Sequence, residues 1–261
     1  MTNVIKWLDV DGDRTGLELI VNGVPAERLL RTHALRIPIN EYLLPGANHV
    51  LLRRSLWPSN KEDGEGGEAG LKFTRATYRT SLKLGEQVVG EQTAASTATA
   101  ARSPLVMLNF WADPGPAPPP LGLFDPIGPA GRAMILDQLA AVAAMWRSGD
   151  GTRLVEWMSR YLDDYGRAYP LESRADMEQQ VVRMAEAFRG DQVEFDRNQT
   201  LLDPIAGTNL VDCLGPRGAA VRVARAGGPD YDMWAVVGIR GGGKWCWSAN
   251  LTRRAGRARV S

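Results

Sequence analysis

Apolar and polar residues alternate along the first 112 residues with the period of two that is typical of β-strands. The stretch LELIVNGV, residues 17–24, ends on Asn22-Gly23, a strong signal for a β-hairpin. LKFTRATYRTSLKL, residues 71–84, alternates along its whole length and favours one strand or a bent hairpin arm. Residues 90–103 fit either an edge strand or a loop. The pattern therefore predicts an antiparallel β-sandwich for the N-terminal half.

Seven prolines interrupt the alternation at residues 113–131, DPGPAPPPLGLFDPIGPAG. Proline cannot donate a backbone hydrogen bond and it restricts the residue before it, so we expect neither helix nor inner strand here. The predicted organisation has four parts: a β-sandwich domain over 1–112, a Pro-rich linker over 113–131, an α+β domain over 132–252 and a basic C-terminal tail over 253–261.

The period changes to 3.6 residues after the linker and predicts three helices. Ser173 and Asp176 form a start signal for the third helix, and Gly190 marks its end. One face of the first helix is apolar, with Ile135, Leu139, Val142 and Trp146. Short strands follow the helices, so the second domain is expected to pack its helices on one face of an antiparallel sheet, and the fold class is α+β.

Composition and charge narrow the function. The chain has 31 Lys and Arg against 30 Asp and Glu, a balance that argues against a dedicated nucleic-acid-binding protein. We find no signal-peptide pattern and no apolar run long enough to span a membrane. The expected location is the cytoplasm, while a periplasmic location stays open.

GIRGGGKW, residues 238–245, matches seven of the eight positions of the phosphate-binding P-loop. The eighth position needs a hydroxyl to reach magnesium, and Trp245 has none. The residues after it alternate like a strand, whereas a P-loop leads into a helix. We therefore predict a glycine hairpin between two strands, and no cofactor.

The chain shows no pattern of a metal or catalytic site. Its two cysteines, Cys213 and Cys246, and its two histidines, His33 and His49, lack the spacing of metal ligands. DVDGDRTG resembles a calcium loop, but the twelfth position falls on Asn22 instead of a glutamate. No Ser-His-Asp or Cys-His arrangement is visible, so we name no catalytic residue and no metal ligand. We expect both cysteines to be free, buried thiols.

Aromatic residues recur every four positions at Trp157, Tyr161, Tyr165 and Tyr169. Such a stripe on a helix is more often a packed core face than a surface that stacks a planar ligand, and we expect the core.

Trp245 and Trp247 flank Cys246 in the last predicted strand. Alternation puts both indoles on one face, opposite Val236 and Trp234, and cysteine favours the covered face. We therefore expect the two tryptophans to form an interface, with a core position as the alternative. The candidate partner-binding residues are Trp245, Trp247 and Arg240.

An Asn-Gly turn followed by IPINEYLLPGANHVLLR is similar to the jelly-roll sandwiches that occur as sugar-binding-like accessory domains of bacterial glycosidases. The matching residues are Asn22, Gly23, Ile39, Asn40, Leu43, Leu44, Pro45, Gly46, Asn48 and Val50. This resemblance implies a sandwich corner and no ligand site. The second half looks like the cone-shaped α+β folds of cystatins and nuclear transport factors, in the order of its elements alone.

These observations favour a non-catalytic bacterial protein that binds another protein, such as a toxin-neutralising immunity protein or an inhibitor. One alternative is a carbohydrate-binding module, which predicts exposed aromatic residues on the sandwich, with Trp57, Tyr78 and Trp111 as candidates. The other is an enzyme with a pocket in the second domain, which predicts a carboxylate or histidine facing that pocket.

Overall fold

The computed structural model describes residues 2–12, 17–29, 35–54, 68–79, 82–95, 104–112, 125–205, 209–215, 218–225, 231–240 and 243–253. The chain divides into two compact units. Unit 1 comprises Met1–Pro119 and Asp164–Leu171, and unit 2 comprises Pro120–Asp163 and Glu172–Ser261.

Unit 1 is an antiparallel β-sandwich, as the alternation predicts. Its two four-stranded sheets have the strand orders β4-β1-β6-β7 and β3-β2-β5-β8. A 3₁₀ turn, Asn40–Tyr42, lies between β4 and β5. The strands are β1 Thr2–Gly12, β2 Leu17–Val21, β3 Val24–Leu29, β4 Leu35–Pro38, β5 Gly46–Arg54, β6 Glu68–Arg79, β7 Leu82–Ala95 and β8 Pro104–Ala112.

Burial alternates along β5 and β8 of the sandwich, whereas all five residues of β2 are buried. Val50 and Leu52 on β5 are buried, and so are Val106 and Leu108 on β8. The two sheets approach closely at Gly90 on β7, where a Cβ atom would lie 3.1 Å from Leu108 Cδ1. A side chain at position 90 would therefore press on the end of the Leu108 side chain, which packs against Gly90 across the two sheets.

Three local predictions in unit 1 have an outcome in the structure. Asn22 and Gly23 both have positive φ angles, 51° and 84°, as a type I′ turn requires, and they join β2 to β3. Residues 71–84 are shared between β6 and β7, so the hairpin arm is the right alternative. Residues 90–95 form part of β7, which is an edge strand.

The segment Asp164–Leu171 of unit 1 is held at the 3₁₀ turn. The backbone N–H of Asn40 donates to the Tyr169 hydroxyl at 3.0 Å, and the Asn40 amide donates to Ala168 O at 3.1 Å. The Tyr169 hydroxyl donates to Glu41. Burial and the carboxylate together raise the pKa of Tyr169 well above its usual value. Asn40 thus connects the 3₁₀ turn to Ala168 and Tyr169 by hydrogen bonds.

Unit 2 begins with helices α1 (Pro129–Ser148), α2 (Gly151–Ala168, whose last turn belongs to unit 1) and α3 (Arg174–Ala187). Ser173 caps α3 by accepting from the Asp176 N–H, as predicted. The expectation that no helix forms within 113–131 is wrong at its end, because α1 starts at Pro129. Proline is tolerated in the first helical turn, where its missing N–H has no partner to lose.

One antiparallel sheet completes unit 2 and confirms the α+β class. β11 and β12 lie end to end along one edge of β13, and β14 pairs with the other edge. β10 and β9 extend the sheet beyond β11 and β12. The strands are β9 Gln192–Glu194, β10 Leu201–Pro204, β11 Val211–Leu214, β12 Val221–Ala224, β13 Tyr231–Arg240 and β14 Gly243–Arg253.

The predicted apolar face of α1 packs on this sheet. Ile135 and Leu139 join a cluster with Cys213 and Val237, and the next turns of α1 join a second cluster around Trp146. Cys213 is fully buried and belongs to no disulfide, as expected. Among the described residues, none of the helices combines the length and the apolar composition that crossing a membrane requires.

Candidate functional site

The glycine-rich stretch at 238–245 joins two strands, as a hairpin does and a P-loop does not. Arg240 pairs with Gly243 across the turn, and Gly238 pairs with Trp245. The predicted register is wrong further along, since Val236 pairs with Ser248. A β-bulge at Trp247 causes this shift and breaks the alternation on which the shared face of the two tryptophans depended.

Trp234 pairs with Asn250, so it does not lie opposite Trp245 or Trp247 as the predicted register requires. The side chains of Arg240, Trp245 and Trp247 lie outside the described part of the structure. Their assignment to an interface therefore stays a prediction.

The outer side of strands β5 and β8 carries the most exposed of the large apolar side chains that the structure describes. Trp111 is 72% exposed and Met107 49% exposed. Ala47 pairs with Trp111 across the two strands, and His49 pairs with Asn109. We name the surface formed by Ala47, His49, Asn109 and Trp111 the Trp111 face. All four residues are exposed.

An open depression of about 380 Å³ lies on the Trp111 face. It is lined by the four residues of the face together with the backbone neighbours Asn48 and Phe110. The depression thus offers an aromatic ring, an amide and an imidazole to solvent, on two strands whose other faces are buried in the sandwich.

The ring of Trp111 packs against Gly46, the first residue of β5. A Cβ atom added to Gly46 would lie 3.4 Å from two carbons of the six-membered ring of Trp111, so this ring lies against the bare glycine. Gly46 has a φ of 92°, in the left-handed region that glycine adopts without strain. The sequence Pro45-Gly46 therefore shapes both the turn and the bed of the indole.

A network of two buried asparagines fixes that turn. Asn48 accepts from Leu44 N–H at 2.8 Å and donates to Leu44 O at 2.9 Å and Gly46 O at 2.8 Å. Asn22 donates to Asn48 Oδ1 at 2.7 Å and accepts from His49 N–H at 3.0 Å. The corner motif thus supports the Trp111 face from below, and its amides are already engaged within the protein.

Some of the other aromatic residues named from the sequence lie outside the described residues, and others are buried or partly buried. Trp57 and the side chain of Tyr78 lie outside the described residues. In the helical stripe, Tyr169 is buried and Trp157 is partly buried against the core cluster around Trp146. The core interpretation is right for these two.

Three aromatic side chains pack together in the core of unit 2. Phe188 packs between Trp146 and Tyr231, with ring centroids 5.6 and 4.8 Å away. Two carboxylates of the sheet of unit 2 are buried, Asp212 on β11 and Asp232 on β13. The enzyme hypothesis requires such a group to face a pocket, and this stays a prediction. Gln138 of α1 is buried, and among the described residues neither polar atom of its side chain has a hydrogen-bond partner.

In unit 1, the buried carboxylate of Glu18 on β2 pairs with arginines on the two neighbouring strands, β3 and β5. Glu18 accepts from Arg28 at 2.9 Å and from Arg53 at 2.7 Å. Burial raises the pKa of the neighbouring Glu27 to about 7, although the N–H and the charge of Arg28 act in the opposite direction. Within the described ranges, no three His, Cys, Asp or Glu side chains are grouped to hold a metal ion.

Comparison with protein families, characterised proteins and solved structures yields no match for this chain. The likeness to jelly-roll and cone folds accordingly remains a resemblance of local sequence and element order. The sequence singled out Trp111 only for one alternative and missed Gly46, His49 and Asn109. The pattern of apolar and polar residues does not reveal this face at positions 47 and 48, because the apolar Ala47 is exposed and the polar Asn48 is buried.

Proposed function

We propose that this chain is a non-catalytic binding protein that holds its ligand on the Trp111 face. The observation that carries the proposal is the indole of Trp111, 72% exposed and seated on Gly46 beside polar side chains. A large aromatic ring left in water forgoes the free energy of its burial. A fixed, exposed ring with hydrogen-bonding neighbours is therefore a feature typical of binding surfaces.

The side chains around the depression support binding more than catalysis. Nucleophilic and acid–base catalysis need a reactive group within hydrogen-bond reach of a second group that activates it. His49 is the single titratable side chain among the six lining residues, and neither serine nor cysteine is among them. The lining can thus orient a ligand, while it offers His49 no activating partner of its own.

A second candidate function, separate from carbohydrate binding, makes the ligand a protein, with the chain acting as an immunity protein or inhibitor that neutralises a toxin. Met107 supports it, because this exposed side chain lies on the same side of β8 as Trp111. Methionine and tryptophan are enriched in protein interfaces. The net charge of the chain is close to zero, so it does not indicate a highly charged partner.

The experiment compares three immobilised versions of the full chain in extract from the source cells: wild type, Trp111→Ala and Val88→Ala. Val88 is a matched control because it is apolar, 48% exposed and on β7 of the other sheet. Retained proteins are identified by mass spectrometry and retained glycans by sugar analysis after hydrolysis. We expect a component that wild type and Val88→Ala retain and Trp111→Ala loses. Identical sets on all three surfaces would contradict the proposal.

A further inference from the structure

The spacing of groups on the Trp111 face matches a small ring-shaped ligand. Asn109 precedes Trp111 by two positions on β8, so their side chains leave the strand on the same side, about 7 Å apart. His49 lies directly across from Asn109 on the paired strand. A ligand resting on the indole thus meets an amide and an imidazole about one sugar ring away.

The chemistry of the lining selects for a ligand without charge. The six residues around the depression include no Asp, Glu, Lys or Arg. Phosphates, carboxylates and acidic peptides are held chiefly by Arg, Lys and helix N-termini, which this lining lacks. An amide and an imidazole both donate and accept hydrogen bonds, which suits the hydroxyl groups of a neutral polyol.

The indole of Trp111 provides an apolar surface on which one face of a sugar ring can pack. The faces of a sugar ring that carry C–H groups are apolar, so they pack well on an indole, while the hydroxyl groups at the rim need hydrogen-bond partners. The depression of about 380 Å³ falls within the volume range of small-molecule sites, about 300–1,000 Å³. Asn48 below it is satisfied by the protein, so the bed is formed before a ligand arrives.

We infer that the Trp111 face binds a neutral carbohydrate, with one sugar ring stacked on Trp111 and its hydroxyl groups hydrogen-bonded by Asn109 and His49. The inference rests on the proposed function and names the ligand of the same surface. Met107 lies outside the lining, four positions and about 13 Å along β8 from Trp111. A single sugar ring does not cover that distance, whereas a protein partner that buries the whole surface does.

The test screens the full chain on an array that carries neutral and acidic glycans and then titrates the strongest neutral glycan by calorimetry into four proteins. We expect binding to neutral glycans by wild type. Trp111→Ala should lower the affinity at least tenfold and Asn109→Ala several-fold, whereas Met107→Ala should stay within twofold. The Asn109→Ala arm reports hydrogen bonding, which a merely sticky indole would not show.

Two outcomes would overturn the inference while leaving the proposed function intact. The first is no neutral glycan bound, or acidic glycans preferred, while extract still yields a component that Trp111→Ala loses. The second is a captured protein whose binding Met107→Ala weakens as much as Trp111→Ala, which would make the surface a protein interface. If neither glycans nor extract components depend on Trp111, both proposals fail.

Discussion

The six-membered ring of Trp111 lies against Gly46, and a Cβ atom on that glycine would just touch the ring at 3.4 Å. The turn and the indole are therefore fitted to one another. Within this turn, Asn48 accepts one hydrogen bond and donates two, and it accepts a further one from the Asn22 amide. The proposed binding surface thus depends on a buried corner of the sandwich that itself contacts no ligand.

Gly46→Ala should lower the free energy of unfolding by about 1–2 kcal/mol, because alanine is strained at a φ of 92°. Gly85→Ala is the matched control, since Gly85 lies in β7 and a Cβ there would meet no atom within 4 Å. Urea unfolding of the two variants gives the comparison. Equal stability of both variants would show that the left-handed turn is not required.

Asn48→Ala should cost about 3 kcal/mol of stability, because it removes the partners of several buried polar groups at once. The side chain is 2% exposed, so water does not replace those hydrogen bonds. Asn109→Ala removes the same amide from an exposed position of the Trp111 face and should change stability by less than about 0.5 kcal/mol. Chemical unfolding that ranks Asn109→Ala as equally destabilising would contradict the assigned network.

Glu27 should make the stability of the protein depend on pH. Burial raises its pKa from 4.5 to about 7, so the folded protein binds this proton more tightly than the unfolded chain. The resulting stability is present below about pH 4.5 and is lost as the pH rises through 7, by up to about 3 kcal/mol.

Denaturation at pH 5 and pH 8 measures this effect, and Glu27→Gln should remove most of the difference. Glu172→Gln, at an exposed position, serves as the control and should keep the wild-type pH dependence. A wild-type difference that survives in Glu27→Gln would assign the effect to another group.

Short-range signals in the sequence were sufficient for much of the fold. Asn22-Gly23 determines its own turn through its two positive φ angles, and Ser173 caps α3 through a contact three residues away. The apolar stripe of α1 needed no partner to be recognised. Such features are readable because the interacting residues are neighbours in the chain.

The candidate site was less predictable because it depends on pairing between distant segments. The pairing of β8 with β5 places Trp111 opposite Ala47 and so determines the surface to which the indole belongs. The bulge at Trp247 likewise inserts one residue that no alternation pattern reveals. Register between strands that are far apart in sequence follows from the whole sandwich and not from either strand alone.

Hydroxyl-radical footprinting of the full chain, alone and in extract from the source cells, measures most directly where the protein binds. The account predicts that oxidation of Trp111 falls in extract, while oxidation of the exposed control side chains Leu35 and Val88 stays unchanged. It would be contradicted by Trp111 oxidising at the same rate in both conditions. Protection confined to Trp245 and Trp247 would contradict it as well and would place the binding surface on strand β14.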